Sequence, residues 1–302
     1  MTHFRVIVMQ ILMTQISDQC WPADIKPVVS VMCFTYNHER FIAQCMDAIL
    51  CQVTDFPVEL LVHDDASTDG SPGIIRAYAQ RFPNIVKPVL QTENQHSLHR
   101  KIRPILQGRA SGCFVANCDG DDVWLDPCKL SKQVGFLRGN PEYVLSYHDA
   151  VTINGEGHVI KSTYIPDVFR RDYSQAELKE LKWGWMLLGT VVYRNVKVDF
   201  PPEYDMTPNG DNFLPMLLAA HGAAKFQSDV GPLAYRQHAG GLWSLKTPAE
   251  KTRMHLQTHL QMVSYLVRTG ETEIAKKIIA GPLSHYAREY FSHHPDAASP
   301  AR

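Results

Sequence analysis

The sequence predicts an α/β fold, a Rossmann-like, mostly parallel sheet with helices on both faces, followed by a C-terminal helical tail. Three observations predict it. Short, nearly continuous apolar runs at residues 28–34, 58–63, 113–116 and 143–147 read as strands buried on both faces. Segments with helical spacing separate them, as crossover connections between parallel strands require. A polar cluster directly follows each of the first three runs.

The elements follow in order. After Pro27, residues 28–34 form the first strand, and Thr35-Tyr36-Asn37 turns polar. From Glu39, Phe41, Cys45, Ala48 and Ile49 share a helical face, with Asn37 or His38 as the expected cap. Residues 58–63 form the second strand and end in Asp64-Asp65. A helix over 74–82, a strand over 86–90 and a helix over 98–107 lead to the strand at 113–116 and the acidic run Asp119-Gly120-Asp121-Asp122. Asp126 is expected to cap a helix with Pro127 at its first position, running to about residue 138. Beyond residue 150 the alternation weakens. A hairpin is expected around Asn154-Gly155, a helix from Ser174, a strand over 190–193, an apolar helix over 213–220, and a helix over 249–268 that packs through Leu256, Leu260, Val263 and Val267.

Composition narrows the function classes. The 302 residues are 45% hydrophobic and 20% charged, enough for a sizeable core. A formal net charge of −1 gives no global electrostatic case for nucleic acid, so an anionic ligand needs a local site. Seven irregularly spaced cysteines read as reduced thiols rather than a disulfide framework. The apolar run near the N-terminus is interrupted by Gln10, Thr14 and Gln15, and no segment reaches the ~18 apolar residues of a membrane span. Residues 1–25 are expected to be an extension, either an amphipathic helix or an over-long translated start. Residues 26–245 are expected to form one domain (halves 26–150 and 151–245), and 246–302 a helical tail. The expected location is cytoplasmic, with peripheral contact at the inner face of a membrane left open.

In an open parallel sheet, ligands bind in the crevice beyond the carboxyl ends of the strands. The three polar clusters, distant in sequence, are therefore expected to meet in one site. Paired carboxylates there suit Mg²⁺ or Mn²⁺, which keep open positions for phosphates, and such an ion would offset the clustered acids. The plainer alternative for Asp119 and Asp121 is an Asx turn. Arg100, Lys101 and Arg103 would either neutralise phosphate or form a solvated helix face.

The runs VVSVMCFTYNHERFIAQCMDAILCQ, VELLVHDDASTDGS and GCFVANCDGDDVWLDPCKLSKQVGFL, with weaker matches in NGDNFLPMLLAAHG and LAYRQHAGGLWS, resemble a family 2 glycosyltransferase of the GT-A fold. The resemblance covers residues 26–150 closely and extends to about 245. It implies inverting transfer from a nucleoside-diphosphate sugar, a UDP-sugar favoured, to a carbohydrate or lipid-linked carbohydrate acceptor in envelope or surface polysaccharide synthesis, with Mn²⁺ or Mg²⁺ as cofactor. It also implies roles. Tyr36, beside Thr35 and Asn37, would stack on the nucleobase. Asp65 would hydrogen-bond the base and Asp121 the ribose or sugar. Asp122 would ligate the metal, with His238 approaching it, and Asp211 would be the catalytic base. Asp211 also fits the N-cap of the helix starting at Phe213. Trp185 and Trp243 are candidates for stacking on the acceptor sugar, and Gly240-Gly241 for a loop closing over the donor.

Two other classes remain at this stage. A sugar nucleotidyltransferase would need a Gly-rich basic loop after its first strand, and FTYNHER is not one. Against a non-catalytic nucleotide-sugar-binding protein stands the presence of both the donor-site acids and Asp211.

Overall fold

The computed structural model describes residues 13–22, 24–241 and 243–293. Its first half runs β1 (Thr14–Gln15), β2 (Val29–Thr35), α1 (Ile42–Leu50), β3 (Val53–Thr54), β4 (Val58–Asp64), α2 (Ser71–Arg81), β5 (Val86–Leu90), α3 (Arg103–Gln107), β6 (Phe114–Asp119), β7 (Val123–Trp124), α4 (Lys129–Gly139) and β8 (Tyr143–Tyr147). The second half adds β9 (Ala150–Asn154), β10 (Val159–Lys161), α5 (Gln175–Lys179), β11 (Val192–Arg194), α6 (Pro202–Asp205), α7 (Phe213–Leu218), β12 (Ala223–Phe226) and β13 (Leu233–Gln237). Helices α8 (Pro248–Arg268), α9 (Thr272–Ile278) and α10 (Ser284–His293) follow.

The central sheet has the order β12-β8-β11-β6-β2-β4-β5. Strands β6, β2, β4 and β5 are parallel, whereas β11 runs antiparallel between β6 and β8. Both faces are covered. Met32, Leu61 and Val115 point into one core with Tyr193, Phe213 and Met262, and Val31, Leu60 and Ala116 point into another with Ile42, Cys45 and Val134. This two-sided burial explains why the strands read as unbroken apolar runs. Of the segment expected as an N-terminal extension, Thr14 and Gln15 pair with Thr54 and Val53, and Ile16 is buried. The amphipathic helix expected nearer the terminus lies outside the described residues.

A second sheet has the order β10-β9-β13-β7; its β9–β10 hairpin is the one expected around Asn154-Gly155, and the rest was not foreseen. Its two-residue strand β7 and its long-range parallel pair β9–β13 leave no periodic signal. The sheet matters for the site because Ala234 pairs with Val123, which sets the end of β13 beside Asp121.

Several local expectations are corrected. Neither Asn37 nor His38 caps α1 with its side chain; Phe41 holds the cap position. The helix expected from residue 98 begins at Arg103, with Pro104 in its first turn, where a missing N–H costs nothing. Helix α4 starts at Lys129. Asp126 accepts from the Cys128 and Gly231 N–H groups instead of capping, and the Gln52 side chain receives the Leu130 N–H. Helix α8 buries Thr258, His259, Met262 and Leu266, while Leu260 and Val267 face outward. Among the described residues, no helix is long and apolar enough to cross a membrane.

Candidate active site

The polar clusters meet at the carboxyl ends of β2, β4 and β6. The turn after β2 is laced to the turn after β4. Asn37 sits at φ 55° and donates its N–H to Ser67 Oγ (2.8 Å), while its Oδ1 receives the Thr68 N–H (2.8 Å). His38 N–H reaches Ser71 Oγ (3.0 Å), and Glu39 N–H reaches Asp69 (2.9 Å). The string DDASTDGS is thus a bracket for the loop TYNHE. Tyr36 stands half-buried in that loop, and Thr35 is buried beneath it.

Asp65 is buried, and its two oxygens receive the Gln95 and His96 N–H groups (2.8 and 3.0 Å), which folds the 91–100 loop over the sheet edge. Each oxygen keeps a second lone pair. Gly120 lies so close to β2 that a Cβ there would stand 2.0 Å from Thr35 Oγ1, so only glycine fits between Asp119 and Asp121.

Asp121 lies between two histidines. Its Oδ2 is 3.1 Å from His238 Nε2 and 3.7 Å from His38 Nε2. Ligand atoms of His38, Asp121 and His238 lie within 4.8 Å of one another, an arrangement able to hold a metal ion. Burial works to raise the Asp121 carboxyl, but the hydrogen bond from His238 and the two imidazoles outweigh it and hold it below the usual range. Desolvation lowers His38 despite Asp121, favouring the neutral imidazole that ligates metals.

Asp122, expected as the ion's ligand, turns the other way. It is buried, and its Oδ1 receives the Arg236 N–H (2.9 Å). Burial, then Asp121 and Asp119, raise its carboxyl well above the usual range. Arg236 also donates to Asp121 O (2.8 Å) and Gln44 Oε1 (2.8 Å), tying β13 to the acidic loop.

Across the cleft, Asp211 occupies a short 3₁₀ turn, Gly210–Asn212, ahead of α7. It is not a helix cap; Asn212 holds that position, without a side-chain bond. Its Oδ1 instead accepts from Arg103 Nη2 (3.0 Å), and Arg103 Nη1 donates to Asn117 Oδ1 (2.8 Å) on β6. Arg103 is buried, so the solvated-face reading does not describe it. Asp119 faces the open cleft yet is hemmed in by protein. Desolvation, then the charges of Asp121 and Asp211, push its carboxyl up to about 8. The Arg103 guanidinium, bonded to Asn117 of β6 on one nitrogen and to Asp211 on the other, sets Asp211 beside the end of that strand. Among the described buried atoms, Asp64 Oδ1, Arg103 Nε and Asn117 Nδ2 lack hydrogen-bond partners, and all three belong to residues that floor this region. Native cores rarely leave such groups unpaired.

The two tryptophan candidates each pack among other rings. Trp185 is 39% exposed and packs against Tyr164 (5.9 Å) and Phe169 (6.4 Å), and Trp243 packs edge-on against His255 (5.4 Å). His38 was expected only as a helix cap and Arg103 only as a phosphate partner or surface residue. The adjacency of His38 to Tyr36-Asn37 was the available signal for a place in the site; nothing in the sequence pointed Arg103 toward Asp211.

The sequence model of glycosyl transferase family 2 matches residues 30–187. The chain belongs to that family. The Mycobacterium tuberculosis protein Rv1520 is 36% identical over 220 residues, covering 71% of this chain and 60% of that protein, so the chain spans about three fifths of this relative's length. Among solved structures, S. aureus TarS 1-349 in complex with UDP-GlcNAc superimposes with a TM-score of 0.60 at 19% identity, over 87% of this chain and 72% of that one. The mannosyltransferase PcManGT from Pyrobaculum calidifontis, in complex with GDP-Man and Mn²⁺, does so with a TM-score of 0.55 at 20% identity, over 91% and 72%. The fold of this family member is therefore GT-A, with β6 and its acidic loop inside the matched segment.

Proposed function

We propose that this family 2 protein is a metal-dependent inverting glycosyltransferase. It would move a sugar from a nucleoside-diphosphate sugar to a hydroxyl of a carbohydrate or lipid-linked carbohydrate acceptor, in envelope or surface polysaccharide synthesis. A lipid-linked acceptor would bring it to a membrane face by peripheral contact. The observation that carries the reading is the His38–Asp121–His238 group at the carboxyl ends of parallel strands, with Asp211 anchored across the same cleft. The nucleotide sugars bound by TarS and PcManGT support the donor class, and the Mn²⁺ of PcManGT supports the cofactor.

Asp121 and His238 would hold the cation, with His38 as a third donor; two imidazoles suit Mn²⁺ better than Mg²⁺, which prefers oxygen. Bound there, a divalent cation would act as a Lewis acid toward the donor diphosphate. Asp122 would keep β13 against the acidic loop through Arg236. Tyr36 would stack on the base, and Asp65 would hold the 91–100 loop beside it. Arg103 fixes Asp211 Oδ1, leaving Oδ2 to take the acceptor hydroxyl's proton as that oxygen attacks the anomeric carbon. Attack opposite the leaving group inverts that carbon.

The test is release of nucleoside diphosphate from a panel of UDP- and GDP-sugars without acceptor. Release from one donor that needs Mn²⁺ and stops with EDTA is expected. Release from none, or release indifferent to EDTA, contradicts the proposal.

A further inference from the structure

Outside the donor cleft, the turn at Trp183-Gly184, Asn212 and helices α8 and α10 enclose a cavity of about 190 Å³. This is below the size of drug-sized sites and leaves room for about one sugar ring. Its polar groups are ordered. Asn212 Nδ2 stands 3.3 Å from His255 Nδ1; an amide nitrogen only donates, so that ring nitrogen accepts and the neutral imidazole carries its proton on Nε2. His259 Nδ1 stands 2.8 Å from the His255 carbonyl, which only accepts, so His259 is protonated on Nδ1 and keeps Nε2 as an acceptor. Two neighbouring histidines, ring centroids 6.4 Å apart, thus hold opposite tautomers, one offering a donor and the other an acceptor. Beside them, the Tyr286 ring stacks on His255 at 4.7 Å and 12°. Trp183 supplies an apolar wall, its indole N–H already bonded to Leu178 O (3.0 Å).

We propose that this cavity binds the terminal, uncharged pyranose of the acceptor. The proposal rests on the glycosyltransferase reading and names the substrate for its acceptor side. Sugar hydroxyls both donate and accept, which the opposed tautomers match, and the apolar face of a pyranose suits an aromatic wall. No Lys or Arg lines the cavity among the described residues, burial lowers His255 to about 4 and lowers His259 as well, and the third histidine of the lining, His285, already faces Glu289 at 3.9 Å, so the lining favours an uncharged ligand over a uronate or phosphate. Asn212 directly follows Asp211 in the Gly210–Asn212 turn, so one short turn carries both the candidate base and a polar group of the cavity. Most of the wall comes from α8, α10 and the Gly281-Pro282 segment ahead of α10, beyond the matched segment 30–187. Acceptor choice would thus reside in the tail rather than in the shared donor half.

The experiment is saturation-transfer NMR with methyl glycosides of neutral hexoses and N-acetylhexosamines, and with methyl glucuronide. It compares wild type with Tyr286→Ala, Tyr286→Phe and His259→Leu. A melting shift with UDP or GDP plus Mn²⁺, read on the same samples, reports folding and donor binding separately. At least one neutral glycoside is expected to bind wild type and Tyr286→Phe and to weaken at least about tenfold in Tyr286→Ala and His259→Leu, as loss of a buried contact predicts. The variants should keep the nucleotide shift. No neutral glycoside binding to wild type, equal binding to all variants, or preference for the glucuronide overturns the pocket. An absent nucleotide shift in wild type instead counts against the donor site and leaves the glycoside result readable.

Discussion

At the scale of single residues, the assignment turns on which carboxylates face the cleft. Asp211 is 59% exposed, yet one of its oxygens is held by a buried arginine, so it is both reachable and oriented. Asp211→Asn keeps the shape and removes the proton acceptor. Its turnover should fall at least about 10²-fold with the nucleotide-induced melting shift unchanged; transfer at the wild-type rate would remove Asp211 from the mechanism. The sequence pointed to Asp121, His238 and Asp211 because each lies in a short motif. It gave the metal to Asp122 and the ribose or sugar to Asp121, because adjacent acids on a loop carry no periodicity to say which one turns inward. Here the difference comes from β13, whose Arg236 N–H claims Asp122. Arg103 was beyond reading for a related reason: its partners Asn117 and Asp211 are 14 and 108 residues away.

At the scale of elements, the parallel strands were legible because burial on both faces writes itself as apolar runs. The small second sheet, its β9–β10 hairpin aside, was not, since its order depends on the long-range β9–β13 pair. Helix α8 misled because its inward face is partly polar, lining a cavity with His255 and His259. Helix α4 holds a comparable surprise in Lys129, which is 1% exposed, lies 4.4 Å from the Trp124 ring centroid, and donates to Gln133 (2.7 Å). Desolvation lowers its ammonium to about 7, against about 10.4 in an unfolded chain. Between those values the unfolded state binds more protons, so this residue makes stability rise with pH. The melting temperature of Lys129→Met relative to wild type should therefore drop steadily as pH is raised from 7 to 10. A difference that stays constant over that range would mean the lysine is not titrating in its buried position.

For the molecule as a whole, burial lowers His63, His148, His255 and His259, with His148 reaching about 3. Groups whose folded values lie below the unfolded ~6.5 contribute stability that is present above it and lost as pH falls. Melting followed from pH 7.5 to 5 should show a progressive loss beginning near 6.5, and a flat profile would count against four neutral buried imidazoles. The central claim is that the acidic loop and its histidines hold a cation for a nucleotide donor, and it is tested most directly by thermal unfolding. The scan would cover UDP, GDP and other nucleoside diphosphates, with and without Mn²⁺, on wild type, Asp121→Ala and Asp122→Asn. A ligand at 100 times its Kd adds about 2.7 kcal/mol, enough to read. The account predicts one nucleotide that stabilises wild type only with Mn²⁺, an effect lost in Asp121→Ala and kept in Asp122→Asn. Stabilisation that survives in Asp121→Ala, or that no nucleotide produces in wild type, would contradict it.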